Sequence, residues 1–149
     1  MKNLLISAFT LTFIVNIYAD SNDSINACFK KASFYSQLNY DSMLYYANKI
    51  KSISEKHHNK RGIGIYNNLV AVYLEENSFY DSALIYTNEA LNIFKEIQDS
   101  TGMSRCYNNI GTNHMDQGVY DRALESYTVS LGISEKINDL ILQSITANN

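Results

Sequence analysis

The strongest constraint on this chain is a repeat of forty residues. The dipeptide Tyr-Asp occurs at Tyr40-Asp41, Tyr80-Asp81 and Tyr120-Asp121. The segments after the second and third of these anchors share apolar residues at equal positions, as in Leu84 and Leu124, and the segment after the first is a looser copy. A fixed period of roughly 20–50 residues is typical of solenoids and repeat arrays. The period therefore predicts a stack of similar units.

The residues within each repeat favour helices. Apolar side chains recur three and four positions apart over most of the chain, and the sequence contains no proline, the strongest helix breaker. We predict antiparallel helix pairs over residues 27–59, 62–99 and 102–139. A single pair cannot bury its apolar faces alone, so the pairs must stack on one another. The predicted fold is an all-α solenoid of about three repeats.

The two ends of the mature chain are predicted to differ from the repeats. Residues 20–26 are polar and are expected to form a flexible lead-in. Residues 140–149 are either the start of a truncated fourth repeat or a short cap, in which Leu140, Ile141, Leu142 and Ile145 cover the third pair. Intact arrays normally end in a polar capping helix. The early stop of this last segment favours the N-terminal part of a longer protein.

Small and large residues are predicted to pack the repeats together. Ala83 and Ala123 suit the close crossing of two helices, and Gly118 suits a tight turn because glycine takes positive φ without strain. Large tyrosines would fill the space between pairs. The form Ser78-x-x-Asp81 also predicts a capping box at a helix start. The full packing set is Tyr66, Tyr80, Ala83, Tyr107, Gly111, Gly118, Tyr120, Ala123 and Tyr127.

The first nineteen residues have the pattern of a secretory signal peptide. A short positive start, Met1-Lys2-Asn3, precedes a mostly apolar run from Leu4 to Tyr18, and Ala19 is a small residue that suits cleavage. The run is shorter than the ~20 apolar residues of a comfortable membrane span. We predict cleavage after Ala19 and export to the periplasm or the exterior. The alternative is an uncleaved N-terminal anchor.

The composition argues against several classes of function. A formal net charge of -3 does not supply the basic surface that nucleic-acid binding requires. The sequence has no Ser-His-Asp set, paired acid motif or phosphate-binding loop. His57 and His58 would point about 100° apart on a helix and could not chelate one metal. Cys28 and Cys106 lie two repeats apart, too far for a disulfide. We predict no catalytic residue, metal or cofactor.

The third repeat resembles a known family. The segments Tyr107-Asn-Asn-Ile110-Gly111 and Gly118-x-Tyr120-Asp121-x-Ala123-Leu124-x-x-Tyr127 are similar to the tetratricopeptide repeat. The copy before it matches only if one extra residue is allowed, with Val70 in place of the small residue at Gly111. The forty-residue form resembles repeats of kinesin light chains, of animal spindle-orientation adaptors and of many bacterial signalling proteins. The resemblance implies a right-handed superhelix of antiparallel helix pairs.

The resemblance also implies a binding groove. Asparagine pairs occur at Asn67-Asn68, Asn108-Asn109 and Asn148-Asn149, in first helices of the repeats. In the resembling adaptors the second asparagine of such a pair binds the backbone of an extended peptide, since an amide both donates and accepts hydrogen bonds. The alternative is that one asparagine of each pair caps backbone groups between repeats. The implied groove residues are Asn68, Arg105, Asn109, Thr112, Met115, Asp116 and Asn149. A carboxylate-binding clamp is not predicted, because only Arg105 matches its basic residues.

Together these features predict a protein-interaction module without chemistry of its own. We expect an exported module that binds an extended peptide or protein segment in its concave groove. Such repeats behind a signal peptide resemble the sensing part of bacterial receptors, in which a membrane helix and a histidine kinase or helix-turn-helix output follow. The alternative is a free-standing periplasmic scaffold for envelope or secretion assembly. Membrane contact is expected only through an uncleaved leader or a C-terminal span beyond Asn149.

Overall fold

The computed structural model describes residues 20–149, and the predicted leader over residues 1–19 lies outside them. The described residues form seven helices and no strand. The described part of α1 covers residues 20–35. The other helices are α2 (Tyr40–Lys56), α3 (Lys60–Glu76), α4 (Tyr80–Glu96), α5 (Ser100–Asp116), α6 (Tyr120–Lys136) and α7 (Leu140–Asn148). The prediction of an all-α solenoid of helix pairs is confirmed.

The helix boundaries repeat with the period of the sequence. Each helix from α2 to α6 is 17 residues long, and helices begin every twenty residues from position 40 to position 140. No extra residue is accommodated between repeats. Gly111 of α5 therefore corresponds to Ala71 of α3, which is 2% exposed. The small residue of the second copy is Ala71, and the assignment of that position to Val70 is wrong.

The expected flexible lead-in over residues 20–26 is instead the first part of α1. Ser21 and Ile25 lie one helical turn apart and are only 2% and 1% exposed. The amide of Asn59, at the start of α3, donates to Asn22 Oδ1 over 2.8 Å. The first helix is therefore longer than the sequence predicted, and its N-terminal turns pack in the array.

The helices form two layers, and the helices of one layer lie closer to each other than those of the other layer. Consecutive helices from α2 to α7 pack against each other, and α3 also contacts α5, as α5 contacts α7. In the described part of the chain, no backbone contact joins any two of the even-numbered helices α2, α4 and α6. Because the odd-numbered helices lie closer together, they form the inner side of the curved array. The inner surface is therefore built by α1, α3, α5 and α7.

Every three-residue turn has the same backbone conformation. Its second residue has positive φ, with values of 51° at His58, 64° at Ser78, 56° at Gln98, 74° at Gly118 and 55° at Asn138. The amide of its third residue donates to a carbonyl in the last turn of the preceding helix, as from Asn59 to Ser54, which closes a Schellman motif. Among these five positions, only Gly118 avoids the steric cost of a Cβ atom at positive φ.

The starts of α3 to α7 alternate between two types, and α2 is capped by Asn39 in the same way as α3 is by Asn59. The residues before α3, α5 and α7 are Asn59, Asp99 and Asp139, and each side chain accepts a hydrogen bond from the backbone amide three residues later. Phe79 and Val119, before α4 and α6, make no such bond. The predicted capping box at Ser78 is wrong, because Ser78 lies in the preceding turn and α4 begins at Tyr80.

Small residues of the predicted packing set lie where helices come close. Ala83 and Ala123 are 2% and 0% exposed. Gly111 lies against the ring of Tyr127, and a Cβ atom added at Gly111 would be 2.5 Å from that ring. Non-bonded carbon atoms do not come this close, so α5 and α6 can cross at this distance only because residue 111 is glycine.

The predicted tyrosines differ in burial. Tyr66, Tyr80 and Tyr107 are half-buried, whereas Tyr120 is 66% exposed and does not fill a space between pairs. Tyr80 packs toward α5, where Asn113 Nδ2 donates to its carbonyl over 3.1 Å. Tyr120 has no such neighbour, because within residues 20–149 only the nine-residue α7 lies beyond α6.

Candidate functional site

The inner surface carries a cleft that crosses all four odd-numbered helices. Its volume is about 150 Å³, and its lining includes Phe29 of α1, Asn68 of α3, Asn109 of α5 and Ile145 of α7. A second cavity of about 60 Å³ adjoins it and shares Phe29, Asn68 and Arg105 with it. We call the two together the inner groove. Three residues predicted to line a groove, Asn68, Arg105 and Asn109, do so.

An asparagine ladder connects neighbouring helices of the inner layer. Asn109 Nδ2 donates to Asn68 Oδ1 over 3.0 Å, and Asn149 Nδ2 donates to Asn108 Oδ1 over 3.2 Å. Each rung joins the ninth residue of one inner helix to the tenth position from the start of the next, which is inside α5 for Asn109 and directly after α7 for Asn149. Because of the register, Asn68 corresponds to Asn108 and not to Asn109, so the predicted equivalence of Asn68, Asn109 and Asn149 is wrong.

In each rung of the ladder, one asparagine uses only its amide oxygen and the other uses only its amide nitrogen. Asn68 Oδ1 accepts from Asn109 and also from the thiol of Cys106 over 3.4 Å. Within residues 20–149, Asn68 Nδ2 and Asn109 Oδ1 have no hydrogen-bond partner. One free donor and one free acceptor therefore remain on this rung, which is the pair of groups that a peptide unit of a ligand would need.

The backbone-capping role considered for the asparagine pairs belongs to a different asparagine. Asn113, which is 2% exposed, donates from Nδ2 to the carbonyl of Tyr80 in the preceding repeat over 3.1 Å. The equivalent residue of α3 is Tyr73, so no repeat pattern identified Asn113. The paired asparagines instead bond to side chains, as Asn67 does with Glu89 over 3.3 Å.

Arg105 lies at the junction of the two cavities of the inner groove. Its guanidinium carbon is 5.3 Å from the centre of the Phe29 ring on the opposite wall, a cation–π distance. Burial lowers the pKa of Arg105, against the opposing effects of Asp139 and Asp99. Among the described residues, no ion pair involves Arg105.

Thr112, Met115 and Asp116 do not line the inner groove. Of the predicted stripe on α5, the groove includes only Arg105 and Asn109, which are one helical turn apart. Thr112 accepts a hydrogen bond from the Tyr127 hydroxyl over 3.2 Å. Met115 and Asn149 line a separate cavity of about 460 Å³ against α6 and α7, and Asp116 is exposed.

Glu75 is a buried acid that the sequence analysis did not identify. Its side chain is in the last turn of α3 and the residue is 8% exposed. Its Oε1 atom has no hydrogen-bond partner in the described residues. Burial, and then the charges of Asp116 and Glu76, raise the pKa of Glu75 to about 8. The equivalent residue of α5 is Met115, so an acid occupies a position that an apolar side chain fills one repeat later.

The remaining candidate sites have simple surroundings. Cys28 and Cys106 are free thiols, and burial raises the pKa of Cys106 to about 12, so this thiol stays protonated. His58 lies in the turn after α2. Residues 20–149 contain no group of three side chains that could hold a metal ion. No helix among them has both the length and the hydrophobicity to cross a bilayer.

No protein-family model, curated protein or solved structure matches this chain. The functional argument therefore depends on the repeat, the inner groove and the asparagine ladder.

Proposed function

We propose that the chain is a protein-interaction module that binds an extended peptide in its inner groove. The observation that carries the proposal is the asparagine ladder, which leaves a free amide donor and a free acceptor on a concave surface. Adjacent packed helices are about 9 Å apart, and three residues of extended chain span about 10 Å. One peptide unit in three can therefore meet an amide of the ladder without bending.

The type of repeat we propose is the tetratricopeptide repeat. The forty-residue period without insertions, the Gly111–Tyr127 contact and the buried Ala71 and Ala123 support it, because small residues at regular positions permit the close crossings of such helix pairs. The corrected register places the small residue Ala71 at the position of Gly111, and it places Asn67 in place of Tyr66 at the position of Tyr107.

We further propose that the module is exported and forms the sensing part of a bacterial receptor. The signal-peptide pattern over residues 1–19 supports export. Reading the gene beyond Asn149 tests the receptor part. Further repeats, a membrane span and a kinase or helix-turn-helix domain are the expected result. A stop codon would contradict it and favour the free-standing scaffold.

Peptide binding is tested by selecting a random twelve-residue peptide library on the full chain and measuring the dissociation constants of the selected peptides. We expect Asn109→Ala to weaken binding by about 1 kcal/mol or more, because it removes a polar partner of the peptide and breaks the hydrogen bond between Asn109 and Asn68. The matched control is Asn92→Ala, on an exposed position of the outer helix α4. Binding is measured well below the melting temperature of each variant. Equal affinity of both variants would contradict the groove proposal.

A further inference from the structure

Arg105 interrupts a column of isoleucines on the inner layer. The sixth residue of α3, α5 and α7 is Ile65, Arg105 and Ile145, and the corresponding residue of α1 is Ile25. Ile25 and Ile65 are 1% and 7% exposed, whereas Ile145 of the short helix α7 is 41% exposed. An isoleucine at position 105 would therefore extend the packed column of Ile25 and Ile65. The charged residue at this one position requires an explanation other than packing.

The structure gives Arg105 no partner for its charge. Arg61, the other arginine near the groove, has its Nε 2.8 Å from Asp99 Oδ2, and Lys60 pairs with Glu96. Arg105 has neither an ion pair nor a hydrogen bond from its side chain within residues 20–149. A guanidinium that is half-buried without an ion pair carries a desolvation cost, which the Phe29 ring and the more distant charges of Asp139 and Asp99 offset only in part. An anionic ligand in the groove would offset it.

We propose that Arg105 selects peptides by binding the carboxylate of an Asp or Glu side chain within the bound segment. The proposal rests on peptide binding in the inner groove. The planar guanidinium can donate two parallel hydrogen bonds to one carboxylate, and the Phe29 ring holds it from the opposite side. Asn68 and Asn109 lie next to it in the same cleft and are free to bind the backbone beside the acidic residue.

The shape of the groove favours an acidic side chain over a C-terminal carboxylate. Cavities lie on both sides of Arg105, one toward α7 and one toward the Arg61–Asp99 pair. A peptide that ended at Arg105 would leave one of them empty. Leu69, Val72 and Leu142 line the larger cavity, so we expect apolar residues on that side of the acid.

The test compares peptides selected from the random twelve-residue library by the wild-type chain and by Arg105→Ile. This substitution restores the isoleucine column and is expected to leave the fold intact. We expect the wild type to enrich Asp or Glu at one internal position. Replacing that acid by Ala should weaken binding about tenfold, and amidating the peptide C-terminus should have no effect. Arg105→Ile should bind the acidic and the Ala peptide equally, and Arg105→Lys should keep part of the preference.

The matched control is Arg122→Ile, which removes an exposed arginine of α6 and should keep the full acidic preference. An acidic preference that survives in Arg105→Ile overturns the inference, and so does a loss of binding on amidation. Selected peptides without an acidic preference overturn this inference while supporting the groove. If no peptide binds at all, peptide binding in the groove is refuted, and this inference with it.

Discussion

Replacing Glu75 by Gln should make the protein more stable at neutral pH and less sensitive to pH. Glu75 is buried at the end of α3, with one carboxyl oxygen unpaired. Asp116 and Glu76 lie close enough to disfavour its ionised form, as does the negative end of the helix dipole. The folded protein therefore holds Glu75 as the neutral acid, whereas the unfolded chain ionises it at the ordinary pKa.

The magnitude follows from the two pKa values. Below an ordinary pKa of 4.5 the residue is neutral in both states, and this contribution to stability is fully present. As the pH rises toward the folded pKa of about 8, only the unfolded state releases the proton. The free energy of unfolding then falls by about 1.4 kcal/mol per pH unit. At pH 7 the accumulated loss is about 3 kcal/mol, which glutamine avoids because it does not ionise.

Urea denaturation of the full chain between pH 4.5 and pH 8 measures this effect. We expect Glu75→Gln and Glu75→Met to match the wild type at pH 4.5 and to exceed it increasingly as the pH rises. The methionine variant copies the residue that α5 has at this position. Glu125→Gln, at an exposed site of α6, is the control and should follow the wild type. If Glu75→Gln also parallels the wild type at every pH, Glu75 is not a buried neutral acid.

Two further predictions concern glycines and turns. Gly111→Ala should destabilise the chain by about 1–3 kcal/mol because the new methyl group would overlap the Tyr127 ring. A Cβ atom added at Gly132 meets no atom within 4 Å, so Gly132→Ala should instead stabilise the chain by up to about 1 kcal/mol. Equal effects of the two substitutions in urea denaturation would contradict the packing described for α5 and α6. In urea denaturation, Ser78→Gly should raise the free energy of unfolding and Gly118→Ala should lower it, each by about 1 kcal/mol, because both positions have positive φ. A lower midpoint for Ser78→Gly would refute the turn assignment.

The layout of the helices could be predicted from the sequence because it depends on local patterns. The Tyr-Asp anchors mark the first two residues of α2, α4 and α6, and the period fixes the positions of the other helices. The first turns of α1 were missed because residues 20–26 contain a single large apolar side chain, Ile25. One buried residue gives no measurable periodicity over seven positions.

The register error shows how a family pattern can outweigh the chain's own repeat. Allowing one extra residue matched Leu69 and Val70 to the family positions. It also made Asn68 equivalent to Asn109, which the forty-residue period does not. Strict use of the forty-residue period would have matched Gly111 to Ala71 and Asn108 to Asn68. The period is more reliable here, because helices of equal length and equal turns leave no place for an insertion.

The side-chain partners in the groove could not be predicted from the sequence. The rung between Asn109 and Asn68 depends on the distance between α3 and α5, and the contact between Arg105 and Phe29 crosses from α5 to α1. Such distances follow from the curvature of the whole array. A repeat pattern assigns residues to a helix face, but it does not say which residues of separate helices meet.

The side-chain amides of the ladder provide the most direct test of the groove proposal. Nitrogen–proton correlation spectra would be recorded while a peptide selected from the random library is added to the full chain. We expect the side-chain amide signals of Asn68 and Asn109 to shift at the peptide concentration that saturates binding. Those of Asn88 and Asn92, on the outer helix α4, should stay unchanged. Shifts confined to the outer asparagines, with the ladder signals unmoved, would contradict peptide binding in the inner groove.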